Sequence, residues 1–252
     1  PFMDIYNCGT YEIIPYEKMA KLAISSLKVN NPNVSCCVIY CNDYGKKIQK
    51  ELEKVADYLI EIPQVVNTFG KQKKISNFYQ IYYFSPYKNS LYFDCSFLFF
   101  NDINYYFSLL ENKSVVVSNK FKNFRGNTIT KKSANVFFDN LELRFVNCET
   151  LLFTKNDNAL EFFNLLSQVS NNWEFFYGNF LKQKIIEQDR YIDLSLTLKL
   201  SDNYNFICND FCDYIDISPR KINYTDDKNY DFYKHVNLWL LDSKKVKFNN
   251  YI

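Results

Sequence analysis

The sequence predicts an α/β fold, a mostly parallel central sheet flanked by helices. Three observations predict it. Helix-period and strand-like runs alternate from residue 16 to residue 62, the order that yields parallel strands joined by crossover helices. Residues 34–40 (VSCCVIY) form a short apolar run, as a strand covered on both faces does. At 252 residues the chain can bury one sizeable core, and no Ser/Gly-rich linker or internal repeat divides it, so a single domain over 1–252 is expected.

The elements follow in order. Behind Pro15, the residues Met19, Ala20, Ala23, Ile24 and Leu27 recur at helical spacing, and Asn30-Asn31-Pro32-Asn33 should end that helix. After the apolar strand, Asn42-Asp43-Tyr44-Gly45 turns the chain. Residues 46–58 are helical through Ile48, Leu52, Val55 and Ala56, and 58–62 return to strand. A helix over 73–84 places Ile75, Phe78 and Tyr82 on one side and is broken by Ser85-Pro86-Tyr87, so the greasy run behind it enters as a new central strand. A helix from Asp102 to Leu110, a strand at 114–117 and a polar, basic loop at 119–135 come next. Residues 141–153 are strand-like around a break at Asn147-Cys148-Glu149. One long amphipathic helix is expected over 157–176, with Asp157 as N-cap, and another over 191–200. From Cys208 onward short strands and loops follow, with the only histidine, His235, among them.

Composition removes several function classes. Thirty basic residues face 28 acidic ones, and no Lys/Arg block exceeds three, so there is no clear footprint for nucleic acid. Aromatics reach 19%, which a stacking platform or simply an AT-rich coding sequence would produce, and the second account is preferred. The eight cysteines sit mostly inside apolar runs, as reduced, buried thiols do, and no histidine stands near Cys37/Cys41 or Cys208/Cys212 to complete a zinc set. No apolar run is long enough to span a bilayer and no leader pattern opens the sequence, so a cytoplasmic protein is expected, in host cytoplasm if viral. Gly-x-Ser-x-Gly is absent, and five glycines in the whole chain form no phosphate loop, which argues against hydrolase, nucleotidylyltransferase and phosphotransferase chemistry.

Residues 85–102 (SPYKNSLYFDCSFLFFND) pose the functional question. Asp94 stands alone at the centre of a greasy, strand-like run. A carboxylate there needs a cation, a donor network or water. At the C-terminal end of a strand it either holds a divalent ion against a diphosphate or caps a turn or pairs with a basic residue.

The same segment, a helix-ending Pro-Tyr, a hydrophobic strand, then Asp and a later acidic residue before a helix, resembles the Asp-x-Asp region of GT-A-type glycosyltransferases. It looks particularly like the glycogenin-related nucleotide-sugar transferases and phage-encoded glycosyltransferase-like proteins. Four other stretches agree in order: "CGTYEIIPYEKMAKLAISSLKVNNP" with "VSCCVIYCND", "FVNCETLLFTKNDNALEFFNLL", "DRYIDLSLTLKL" and "YKHVNLWLL". The resemblance implies a GT-A (Rossmann-like) domain with a nucleotide-binding half over 1–118 and a sugar and acceptor half over 119–252. It implies transfer of a sugar from a nucleoside diphosphate sugar to a hydroxyl on a glycan, protein or modified base, assisted by Mn²⁺ or Mg²⁺. By position, Asp94, Ser96 and His235 become metal ligands, and Gly9, Thr10 and Tyr11 lie near the nucleoside. Asn147 falls near the sugar, Lys88 joins the substrate-binding set, and Asp193 and Glu149 become the catalytic carboxylates, with Asp102 a further guess for the base. Lys88, Arg125, Lys131 and Lys132 are candidates to meet the diphosphate.

Two departures stand out. Ser96 replaces the family's second aspartate, removing one anionic ligand, and Cys148-Glu149 stands where related enzymes have a Gly-rich turn. They keep a second reading open, a GT-A-like binding or structural protein that has lost its metal motif.

Overall fold

Five apolar side chains at helical spacing build the first packed layer. In the computed structural model, which describes residues 2–3, 16–41, 45–62, 78–95, 97–99, 102–118, 122–123, 143, 146–181, 188–201, 207–211, 214–216 and 237–239, they belong to helix α1 (Tyr16–Asn30). Met19, Ala20, Ala23, Ile24 and Leu27 are all buried, as their spacing predicts. Asn31 ends the helix. Its side chain donates to the Leu27 carbonyl at 3.2 Å and accepts from the Ile103 N–H at 2.8 Å, and Pro32 follows.

A short strand β1 (Phe2–Met3) precedes α1, and β2 (Cys37–Cys41), α2 (Gly45–Leu52) and β3 (Tyr58–Ile62) come after it. The three strands form a parallel sheet in the order β1-β2-β3. Asp57 fixes where β2 and β3 begin, because its carboxylate takes the Cys36 N–H and the Lys28 ammonium, both at 2.6 Å. The second helix ends at Leu52, short of the predicted 58, yet Val55 and Ala56 still pack on the core.

Helix α3 (Gln80–Phe84) is the described part of the helix predicted over 73–84. It stops at Ser85, whose extended backbone is the conformation a following proline imposes. Then come β4 (Asn89–Phe93), β5 (Phe97–Phe99), α4 (Asn104–Ser108), β6 (Val115–Ser118), β7 (Lys122–Asn123) and β8 (Asn147–Thr154). The expected break at Asn147-Cys148-Glu149 is instead part of β8. Its irregularity appears as a register shift against β6, where Val117 faces Leu151 but Ser118 faces Asn147.

The helix predicted over 157–176 is two helices, α5 (Asp157–Asn171) and α6 (Trp173–Phe180), parted at Asn172. The N-cap is Asn156 rather than Asp157, and its side chain accepts the Ala159 N–H at 2.9 Å. Helix α7 (Arg190–Leu200) and strands β9 (Ile207–Phe211), β10 (Tyr214–Asp216) and β11 (Asn237–Trp239) complete the described elements.

Two mixed sheets carry these strands, in the orders β4-β8-β6-β9 and β5-β11-β10-β7. Five of the eight pairings among the described residues are parallel, and β8 runs antiparallel to both β4 and β6. Consequently β4, expected in the centre, has one described neighbour in its sheet. A cavity of about 510 Å³ lies along it, lined also by Val34, Cys36, Cys37, Tyr87 and Phe107. Alternate residues of these strands feed two cores. Phe93, Val116 and Leu152 pack with α1, whereas Tyr92, Val115, Val117, Leu151 and Phe153 pack with α3, α5 and α7. No described helix is long and apolar enough to cross a membrane.

Candidate functional site

Strand β4 delivers Asp94 to the end of its sheet. The Asp94 N–H donates to the Glu149 carbonyl at 2.8 Å, extending the β4–β8 ladder by one rung, and its own carbonyl accepts the Phe97 N–H at 3.2 Å, turning the chain into β5. The chain therefore turns directly behind the carboxylate, at the end of the ladder rather than inside it, and this answers how so apolar a run tolerates it.

Its cation comes from α7. Arg190 Nη2 lies 3.7 Å from Asp94 Oδ2, and the two side chains are 13% and 19% exposed. Burial works against the guanidinium's charge, but Cys148, Tyr92, Asp94 and Tyr191 around it raise its pKa well above the ordinary value, and it stays protonated. The next residue, Tyr191, donates its hydroxyl to Glu149 Oε1 at 3.0 Å. Asp94, Glu149, Arg190 and Tyr191 thus meet where the end of β4, the start of β8 and the first turn of α7 converge. Asp189 holds that turn, accepting the Tyr191 N–H at 2.7 Å and the Ile192 N–H at 3.4 Å as the N-cap of α7.

The first turn of α7 carries a second carboxylate. Asp193 is 2% exposed, and three donors converge on it: the Tyr177 hydroxyl at 2.6 Å, Gln188 Nε2 at 2.7 Å and the Ser170 hydroxyl at 2.9 Å. Burial pushes its pKa up to about 6, against the pull of those hydrogen bonds. Burial, followed by the Asp193 charge, likewise raises the Tyr177 phenol.

No family model matches the sequence, and no curated protein does. Solved structures do resemble the fold. Mouse xyloside xylosyltransferase 1, in its apo form, is similar over 97% of this chain and 98% of its own, with TM-score 0.51 and 10% identity. The galactosyltransferase LgtC, in complex with donor and acceptor sugar analogs, is similar over 91% of this chain and 84% of its own (TM-score 0.48, 12% identity). The glycosyltransferase GlyE of Streptococcus pneumoniae TIGR4 is similar over 77% of this chain (TM-score 0.46, 15% identity), which spans 42% of the GlyE chain. The full-length likeness to the xylosyltransferase decides the architecture. The chain has a GT-A-type fold.

Within this GT-A fold the expected site residues separate. Asp94 and Glu149 come together, and Asn147 opens the same strand as Glu149, facing Ser118. Asp193, in the same first turn of α7 as Arg190, is enclosed among α5, α6 and α7. Lys88 is exposed at the other end of β4, six residues from Asp94, or about 20 Å along an extended strand. Asp102 is exposed and takes the Asn104 N–H at 2.7 Å. Gly9, Thr10, Tyr11, Ser96, Arg125, Lys131, Lys132 and His235 lie outside the described residues.

A divalent ion needs several oxygens converging on one point. Asp94 instead turns a carboxylate oxygen toward a guanidinium, Glu149 Oε1 receives the Tyr191 hydroxyl, and among the described residues no three His, Cys, Asp or Glu side chains converge. The described side chains alone supply no complete ligand set, and Ser96 and His235, the other expected ligands, lie outside the described residues.

Sequence reasoning passed over Arg190, Gln188, Asp189, Tyr177 and Tyr191. One signal for Arg190 was present. A cation in the first turn of a helix opposes the helix dipole, so an arginine directly behind an N-cap aspartate calls for an anionic partner elsewhere.

Proposed function

We propose that this protein is a glycosyltransferase that moves a sugar from a nucleoside diphosphate sugar to a hydroxyl acceptor. The observation that carries the reading is Asp94 at the C-terminal end of β4, beside Glu149 and the first turn of α7, in a chain that follows a glycosyltransferase fold over nearly its whole length. Ligands of open α/β sheets gather outside the carboxyl ends of strands, where loops and helix N-termini meet.

In this reading the bond between the anomeric carbon and the diphosphate oxygen breaks, and the acceptor oxygen bonds to that carbon. The acceptor's proton passes to a carboxylate, and the nucleoside diphosphate leaves with the added negative charge. Of the two carboxylates proposed as catalytic, Glu149 is partly exposed beside Asp94 and takes the proton. Asp193 is enclosed and acts by holding Gln188 and Tyr177 beneath the site. Gly9, Thr10 and Tyr11 are assigned to the nucleoside, Asn147 to the sugar, and Lys88 to the substrate's periphery. The family's Mn²⁺ or Mg²⁺ would require Ser96 and His235 to join Asp94.

The test is a screen of nucleoside diphosphate sugars, with and without Mn²⁺, reading nucleotide release and glycan, peptide and nucleoside acceptors by mass spectrometry. Release from one donor, lost in Glu149→Gln, is the expected result. Failure of every donor either to bind or to turn over would remove the reading. Ser96 in place of the second aspartate favours one alternative, a binding protein of the same fold, whose signature is donor affinity without release.

A further inference from the structure

We infer that Arg190 binds the donor's diphosphate directly, so that a guanidinium of this chain stands at Asp94 where a divalent ion would otherwise be needed. The inference rests on the nucleoside diphosphate sugar reading above and adds the group that takes the leaving phosphates.

The geometry carries it. The Arg190 side chain is largely enclosed, yet none of its five N–H donors is hydrogen-bonded to a described residue. Its ion pair among the described residues, with Asp94 at 3.7 Å, is too long for a hydrogen bond. A largely enclosed guanidinium whose donors are open to the site gains from an acceptor of two oxygens, and phosphate matches its fork. The 13% of the side chain that remains exposed gives such a ligand access. Asp94 and the capped first turn of α7 hold the fork in place, and Asp94 compensates its charge when no ligand is bound. The opposed dipole of α7 adds positive potential at the same point.

Calorimetric titration of UDP, GDP, ADP and CDP tests it, on the wild type and on Arg190→Gln and Arg190→Lys, each in EDTA and in Mn²⁺. At least one nucleotide should bind the wild type in EDTA with an affinity that Mn²⁺ leaves unchanged, and inorganic pyrophosphate should compete. Arg190→Gln should weaken that binding about ten- to a hundredfold, with Arg190→Lys between. Binding that requires Mn²⁺, or binding indifferent to Arg190→Gln, overturns the inference and leaves the transferase reading standing. No binding of any nucleotide in either buffer overturns both. The wild-type comparison needs no variant, so poor folding of Arg190→Gln does not blunt the test.

Discussion

Asp193 and Asp94 look alike in sequence, each an acidic residue among apolar neighbours, but the fold gives them opposite chemistry. Asp193 is buried with three neutral donors, and its pKa is raised from 3.8 to about 6. A carboxyl whose folded pKa lies above its unfolded value contributes stability that is fully present below pH 4 and is lost as the pH rises to 6. The loss is about 3 kcal/mol, from the size of the shift. Asp193→Asn cannot ionise, so relative to the wild type it should gain about that much stability between pH 4 and pH 6.5 in urea unfolding. A difference between the two proteins that does not change with pH would show that Asp193 does not titrate in this range. The Asp94 environment was only half legible. Its apolar strand fixed where the carboxylate would emerge, but its cation lies 96 residues further on, and no local pattern announces such a pairing.

At the level of elements, the two best-formed caps separate packing from function. Asn156 caps α5 and also donates to the Ser114 hydroxyl at 3.0 Å, far from the Arg190 turn in sequence, whereas Asp189 caps α7 and directly precedes Arg190. Asn156→Ala and Asp189→Ala should each cost about 1 kcal/mol, a fall of about 2–4 °C in Tm for a chain of this size. Only Asp189→Ala should also weaken nucleotide affinity, because it loosens the turn that aims the guanidinium. Equal affinities in the two variants would detach the α7 turn from binding. The caps also show where periodicity misleads. Apolar spacing runs on from Val169 through Trp173 to Tyr177, so the sequence reads as one helix, while Asn172 leaves helical geometry and its side chain turns back to the Gln168 carbonyl at 3.0 Å. Hydrophobic spacing records which face is buried and does not register a change of axis. The α1 face, set by five apolar residues at uninterrupted helical spacing, was legible for the same reason.

For the molecule as a whole, residues from 1–118 and from 119–252 share one sheet. Strand β8, from the second half, lies between β4 and β6 of the first, and its alternate residues enter different cores, Leu152 against the α1 side and Leu151 and Phe153 against α5. We therefore expect one cooperative unit rather than two domains. Phe163 tests this, because it is fully buried in the α5-side core against Tyr82 and Phe153, at 4.8 and 5.1 Å between ring centroids. Phe163→Ala should cost about 3–5 kcal/mol. Two probes sit in other cores. Cys36 is buried on the α1 side, and Trp173 packs on the cluster of α5, α6 and α7. If the chain folds as one unit, peptide-resolved thiol labelling of Cys36 and the fluorescence of Trp173 in a Trp239→Phe background should shift to the same lower denaturant midpoint. A Trp173 transition that moves while Cys36 labelling stays put would mean that the α1 side folds independently. The Asp94–Arg190 contact would then be made between two units that assemble after folding, and nucleotide affinity should fall at the earlier of the two transitions.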